Sequence, residues 1–163
     1  NAVFNKHDVL LVILDNGTTA MTGHQPNPGV CTSVLGEGCN HLDIESVVRG
    51  IGVTDVAKVK PFNMRGTLKT IEEMKARSGV RVIIAEEPCM LFARRTLKQN
   101  RPQVAEVATQ GEEALKCLAE LACPAFRRGG TAEAPVVSVD ESQCSGCMVC
   151  LQVTPAIRAR KRS

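Results

Sequence analysis

The sequence predicts an α/β chain in two parts: a parallel-sheet portion over residues 1–95 and a small cysteine-bearing module over 111–163, joined by a linker at 96–110. Three observations predict it. Two aliphatic runs, at 9–14 and 80–85, have the length and side chains of parallel strands buried on both faces. Helix-period segments lie between them, so consecutive strands must pair parallel through right-handed crossovers. Last, Cys144, Cys147 and Cys150 crowd near the end at a strict two-residue spacing.

The first strand runs into Asp15-Asn16-Gly17 and then a small-residue loop, Thr18-Thr19-Ala20-Met21-Thr22-Gly23, followed by His24-Gln25-Pro26. A buried strand that delivers amide, hydroxyl and glycine groups at its carboxyl end marks the usual place of a ligand site in an open α/β sheet. Residues 29–41 lack periodicity and read as an irregular excursion over that site. Asp43 is a good N-cap, and Ile44, Val47, Val48 and Ile51 fall at i, i+3, i+4 and i+7, giving a short helix that ends near Gly50 and Gly52. A strand is expected over 53–59. A second helix begins at Thr67, carries Leu68, Ile71 and Met74, and ends near Gly79.

Beyond Pro88 the character changes. Cys89-Met90-Leu91-Phe92 leads into Arg94-Arg95-Thr96-Leu97-Lys98, which reads as a linker or a surface helix. Residues 112–121 form the last helix pattern and precede Cys123-Pro124. Residues 127–135 look loop-like around Gly129-Gly130, and 136–139 make a short strand.

The chain of 163 residues holds no Trp or Tyr and four Phe, so its core must be aliphatic. A net charge of +3 is too small to imply nucleic acid, and the basic run at 158–162 reads as a solvated tail. No apolar run exceeds six residues, which predicts no membrane span. Asn1 to Asn5 resemble the last turn of a helix already under way, and the expectation is a piece of a longer protein. The eight cysteines, without a visible secretory signal, point to a reducing, cytoplasmic setting and a metal centre rather than a disulfide framework.

Cys144-Ser145-Gly146-Cys147-Met148-Val149-Cys150 resembles the cluster-binding run of bacterial ferredoxins, Cys-x2-Cys-x2-Cys-x3-Cys-Pro. Three thiolates on one tight turn suit three corners of an iron–sulfur cube. Here Thr154 stands at the fourth cysteine's position, although Pro155 is kept. In two-cluster ferredoxins the fourth cysteine of one run ligates the other cluster. Cys123-Pro124 therefore completes the set with Cys144, Cys147 and Cys150. For the other cluster Gly111, Ala114 and Thr154 replace three thiols and only Cys117 survives. The pattern implies one [4Fe–4S] cluster with Cys117 left over. Zinc on the same thiolates, or free or disulfide-linked cysteines, are the plainer alternatives, although zinc sites usually come as two separate pairs.

An aliphatic strand ending in Asp-Asn with Thr two residues on resembles the second half of a thiamine diphosphate motif, whose Gly-Asp first half would lie upstream of residue 1. Magnesium wants oxygen ligands in near-octahedral array, shared with phosphates. Asn16 through its amide oxygen and Thr18 through its carbonyl would supply two. Alone, a strand-ending Asn such as Asn16 is more often a turn residue.

The longer strings Asn1-Ala2-Val3-Phe4-Asn5-Lys6-His7, Ile13-Leu14-Asp15-Asn16, Thr19-Ala20-Met21-Thr22-Gly23-His24-Gln25-Pro26, and residues 82–85 running to Pro88-Cys89 resemble the α subunits of the indolepyruvate:ferredoxin oxidoreductase family. The resemblance spans nearly the whole chain in order. It implies the C-terminal part of a thiamine diphosphate-binding domain followed by a small ferredoxin-like iron–sulfur module. It implies oxidative decarboxylation of aryl-2-oxoacids with coenzyme A as acyl acceptor, electrons leaving through iron–sulfur to ferredoxin, and a β subunit as partner. Carried onto this sequence, Asn16, Thr18, Thr22, Gly23 and Gln25 would bind thiamine diphosphate and Mg2+, with His24 facing substrate or cofactor. The bland alternative for His24 is an exposed, solvated loop histidine. Cys31, Cys39 and Cys89 are expected to pack as small apolar residues; His7 and His41 have no assigned role.

Two further readings compete with the enzyme. The α/β part could scaffold an iron–sulfur electron carrier, or the chain could be a structural remnant. By itself, without the upstream Gly-Asp, the chain is expected to be inactive.

Overall fold

A computed structural model of the chain describes residues 1–30, 33, 35, 38, 40–95 and 101–162. It divides into two compact units, Asn1–Gln99 and Asn100–Ser163.

In the first unit, strands β1 (Val9–Asp15), β2 (Asp55–Val59) and β3 (Val80–Glu86) form a parallel sheet in the order β1-β3-β2. Val9 pairs with Val80 and Asp15 with Glu86, while Asp55 pairs with Arg81 and Val59 with Ala85. The central strand β3 is buried on both faces, which is why its pattern is continuous rather than alternating. Its side chains divide by the period of two. Val82 and Ile84 pack with Val48 of helix α1 (Ile44–Gly50), whereas Ile83 and Ala85 pack with Met74 of helix α2 (Met64–Lys75). The helices thus cover opposite faces, as right-handed crossovers require. Asp43 caps α1, accepting the Ser46 amide at 2.8 Å. Helix α2 begins at Met64 rather than Thr67, because Asn63 accepts the Gly66 amide at 3.2 Å and so fixes an earlier start. Arg81 is buried in β3; its guanidinium donates to the Met74 carbonyl at the end of α2 and pairs with the Asp8 carboxylate. Helix α3 (Met90–Arg95) follows the sheet, its first turn closed by Ala93 N donating to Cys89 O at 2.8 Å.

In the second unit, β4 (Gln103–Val107) pairs antiparallel with β7 (Ile157–Lys161), and β5 (Phe126–Gly130) pairs antiparallel with β6 (Pro135–Val139). Helices α4 (Glu112–Leu121) and α5 (Cys150–Val153) complete it. Its core gathers Val104, Ala114, Phe126, Val137 and Ile157 with three of the cysteines, Cys117, Cys144 and Cys150.

Three expectations need correcting in this unit. The linker expected at 96–110 is sheet over 103–107, and the two units divide at Gln99. The basic run is the strand β7 and no solvated tail: Arg158 pairs with Glu106 at 2.7 Å, and Arg160 with Glu106 and Glu141, so charges on β4 and in the loop after β6 offset it. The loop expected over 127–135 carries β5, anchored by the buried Phe126 ring, and only its turn after Gly130 is irregular.

Candidate functional site

In the first unit the carboxyl end of β1 forms two successive side-chain turns. Asp15 Oδ1 accepts the Gly17 amide and Asn16 Oδ1 accepts the Thr18 amide, each at 3.1 Å. Short side chains that bond their own backbone two residues on rigidify such a turn. Thr18 is buried, with its hydroxyl 3.5 Å from the Gln25 carbonyl. The following loop closes on itself: Thr19 N donates to Gln25 O at 3.1 Å, His24 N to Thr19 O at 3.1 Å, and the Thr22 hydroxyl to Gln25 Oε1. Gly23 and His24 take positive φ, +108° and +62°, which turns the chain back. Asn16, Thr18, Thr22, Gly23 and Gln25, singled out from the sequence as cofactor-binding, are thus brought together in one small closed loop at the sheet's carboxyl end.

That loop offers two oxygens of the kind a hard cation takes. The Asn16 amide oxygen has two lone pairs and spends one on the Thr18 amide, leaving one free. Two oxygen ligands are only part of an octahedral shell, so Asn16 and Thr18 would fill about a third of a magnesium site.

His24 departs from a merely solvated loop residue. Its ring stacks on Phe92 with centroids 5.5 Å apart, and its Nε2 lies 3.8 Å from Cys89 Sγ. Cys89 was expected to pack as a small apolar residue; it is half-buried and faces an imidazole instead. The Cys89 amide also donates to the Asn16 carbonyl at 2.9 Å. Sequence reasoning missed this link, although Pro88-Cys89 at the end of a buried strand was a signal for it. Cys31 and Cys39 lie outside the described residues.

In the second unit Cys123, Cys144, Cys147 and Cys150 all line one cavity of about 150 Å³, walled by apolar groups that include Leu121, Ala125, Phe126 and Val139. None of the four is in a disulfide. The turn that carries Cys144, Cys147 and Cys150 bends through Gly146 at φ +73° and Met148 at φ +60°. Gly146 is required there, because a Cβ would lie 2.5 Å from the Gln103 carbonyl. Ala105 N donates to Cys144 Sγ at 3.5 Å, and Arg162 braces the turn through the carbonyls of Glu141 at 3.0 Å and Cys144 at 2.7 Å. Burial, then the neighbouring thiols, pushes Cys150 up to about 12. The buried Cys117 on α4 is likewise pushed up to about 11, first by burial and then by Cys123 and Glu120. Both thiols are therefore protonated at neutral pH, and a metal held by Cys150 would have to displace its proton. Among the described residues no three His, Cys, Asp or Glu side chains converge tightly enough to chelate a single ion. Four soft thiols in an apolar wall have the donor chemistry of a sulfur-ligated centre, iron–sulfur or zinc alike.

The sheet with its site-forming loop lies within the stretch that matches a known family. Residues 1–85 match the model described as thiamine pyrophosphate enzyme, C-terminal TPP binding domain. The chain belongs to that family. This thiamine pyrophosphate enzyme domain is also similar, over nearly all its length, to the curated archaeal proteins named indolepyruvate oxidoreductase subunit IorA. The Archaeoglobus fulgidus protein is 39% identical over 95% of this chain and the Methanothermobacter thermautotrophicus protein 41% over 96%. The Thermococcus kodakarensis protein is 36% identical over 95%. In each case the chain spans about a quarter of the relative's length (24%). No solved structure matches. The α/β class and parallel sheet expected from the sequence hold, as does the family.

Proposed function

We propose that this chain is part of an oxidoreductase that oxidatively decarboxylates aryl-2-oxoacids to acyl-coenzyme A and passes the electrons through one [4Fe–4S] cluster to ferredoxin. The reading rests above all on the joint presence of two sites in a thiamine pyrophosphate enzyme: a closed Asn16–Thr18 loop at the end of β1, and four thiols on one cavity. The relatives' name, indolepyruvate oxidoreductase subunit, supports the substrate class and a partner subunit.

On this reading each site residue takes a role. Asn16 and Thr18 hold magnesium at the diphosphate, their turn fixed in advance by side-chain to amide bonds. Thr22, Gly23 and Gln25 shape the loop against the cofactor, and His24 faces the reacting end. Cys123, Cys144, Cys147 and Cys150 hold the cluster, with the Ala105 amide donating to one sulfur. When bound, thiamine diphosphate supplies an electron sink for decarboxylation and the cluster supplies one-electron transfer.

The test is turnover by the full-length protein with its partner subunit under anaerobic conditions. Reduction of ferredoxin that depends on indolepyruvate, coenzyme A and thiamine diphosphate together is expected. Ferredoxin reduction by an external donor with no response to any 2-oxoacid would favour the electron-carrier reading.

A further inference from the structure

Cys89 is placed to act on three neighbours at once. Its amide donates to the carbonyl of Asn16 at 2.9 Å, and its carbonyl accepts the first helical bond of α3 from Ala93 at 2.8 Å. Its thiol lies 3.8 Å from His24 Nε2, a separation that suits a weak thiol–imidazole hydrogen bond. On the same short helix, Phe92 stacks against the His24 ring with an interplanar angle of 30°.

The histidine backbone is fixed independently. His24 sits at φ +62° after Gly23 at +108°, and its amide is tied to Thr19 O at 3.1 Å. Backbone, thiol and phenyl ring together leave the imidazole little rotational freedom. A ring clamped on one face and at one nitrogen can present only its other nitrogen to a ligand.

We propose that Cys89 and Phe92 are positioning residues for His24, holding its imidazole in a single orientation and tautomer beside the Asn16–Thr18 loop. This rests on the reading of that loop as the magnesium–diphosphate site. It adds to that reading a route from the carboxyl end of β3 to the one imidazole in the loop. The thiol contributes a directional contact at Nε2, and the phenyl ring sets the plane. Neither residue needs to touch substrate or cofactor.

In 15N-histidine spectra of the full-length protein, the His24 signals are assigned by their absence from His24→Gln, and Cys89→Ala, Cys89→Ser and Phe92→Leu are recorded alongside the parent. The parent is expected to show one dominant His24 tautomer. Cys89→Ala should give a tautomer mixture, Cys89→Ser should restore most of the parent pattern, and Phe92→Leu should shift the ring carbon signals while keeping the tautomer. In the assembled full-length enzyme, Cys89→Ala should lower kcat about tenfold, a fraction of what a placed acid–base group supplies, with thiamine diphosphate affinity and oxoacid KM unchanged. An unaltered His24 spectrum in Cys89→Ala would overturn the proposal. So would a loss of thiamine diphosphate affinity in parallel with kcat, which would make Cys89 a support for the loop and not for the imidazole. Failure of the parent enzyme to bind thiamine diphosphate overturns the functional reading instead, and the spectrum still decides whether Cys89 orients His24.

Discussion

The Thr154 hydroxyl donates to Glu113 Oε2 at 3.1 Å, joining the end of α5 to the first turn of α4. Thr154 stands where the ferredoxin pattern carries its fourth cysteine, and it is 2% exposed. The same oxygen accepts the Ala156 amide at 3.2 Å. Ala114 and Cys117 are fully buried on α4, which runs unbroken through the stretch where a second cysteine-rich turn would have to wind. The space of a second cluster is filled with packed, hydrogen-bonded protein.

Restoring one thiol should therefore not restore a cluster. Thr154→Cys is expected to keep about four irons per chain, the content of one cube, because α4 and its buried alanine remain in place. Iron analysis of the anaerobically purified variant checks this, and a content near twice that value would show that the helix yields.

The same hydrogen bond makes stability depend on pH. Glu113 is held below its ordinary 4.5, first by the Lys116 ammonium and then by the Thr154 hydroxyl. A carboxyl lowered on folding stabilises fully above its unfolded pKa, and that contribution disappears as pH falls through the lower folded value. Glu113→Gln should lower the Tm at pH 7, and the deficit should close as melting is repeated below 4.5. Thr154→Val should weaken the pH dependence by removing the second cause.

Gly146 offers a contrast with Gly129. An alanine at 146 must take φ +73°, and its Cβ would meet the Gln103 carbonyl at 2.5 Å and Arg101 Cβ at 2.9 Å. Left-handed backbone costs about 1–2 kcal/mol for such a residue, and overpacking adds about as much again. Gly146→Ala should lower the denaturation midpoint and the iron incorporated. Gly129→Ala, whose nearest neighbour would be 4.0 Å away, should leave both near the parent.

Asn16→Ala removes the side-chain oxygen proposed for magnesium and opens the Thr18 turn together. In the full-length protein it should weaken magnesium-dependent thiamine diphosphate binding at least about tenfold by calorimetry. Asn16→Asp keeps the acceptor and should fall between the two. Equal affinity in all three would remove Asn16 from the site.

Some of this was legible in the sequence because it is local. β1 and β3 are aliphatic runs, Asp43 announces its helix, and α4 falls at its expected bounds, Glu112–Leu121. Of the strands in the second unit only β6 was legible, as the expected strand at 136–139; the other three were not, since each is short and two are rich in arginine. Arg158 becomes strand only through Glu106, 52 positions away. The site divides in the same way. Asn16 and Thr18 follow a visible strand end, and the cysteine triple shows in its spacing. The Cys89–His24 contact spans 65 positions and the Ala105–Cys144 contact 39. No local pattern encodes either, because both arise from the packing of separate elements.

The most direct measurement is metal and sulfide analysis of the protein purified without oxygen, set beside its visible spectrum. A brown protein with about four irons and four sulfides per chain, lost when Cys147 is replaced by Ser, is the expected result. A colourless protein carrying zinc, or one with about eight irons, would contradict it.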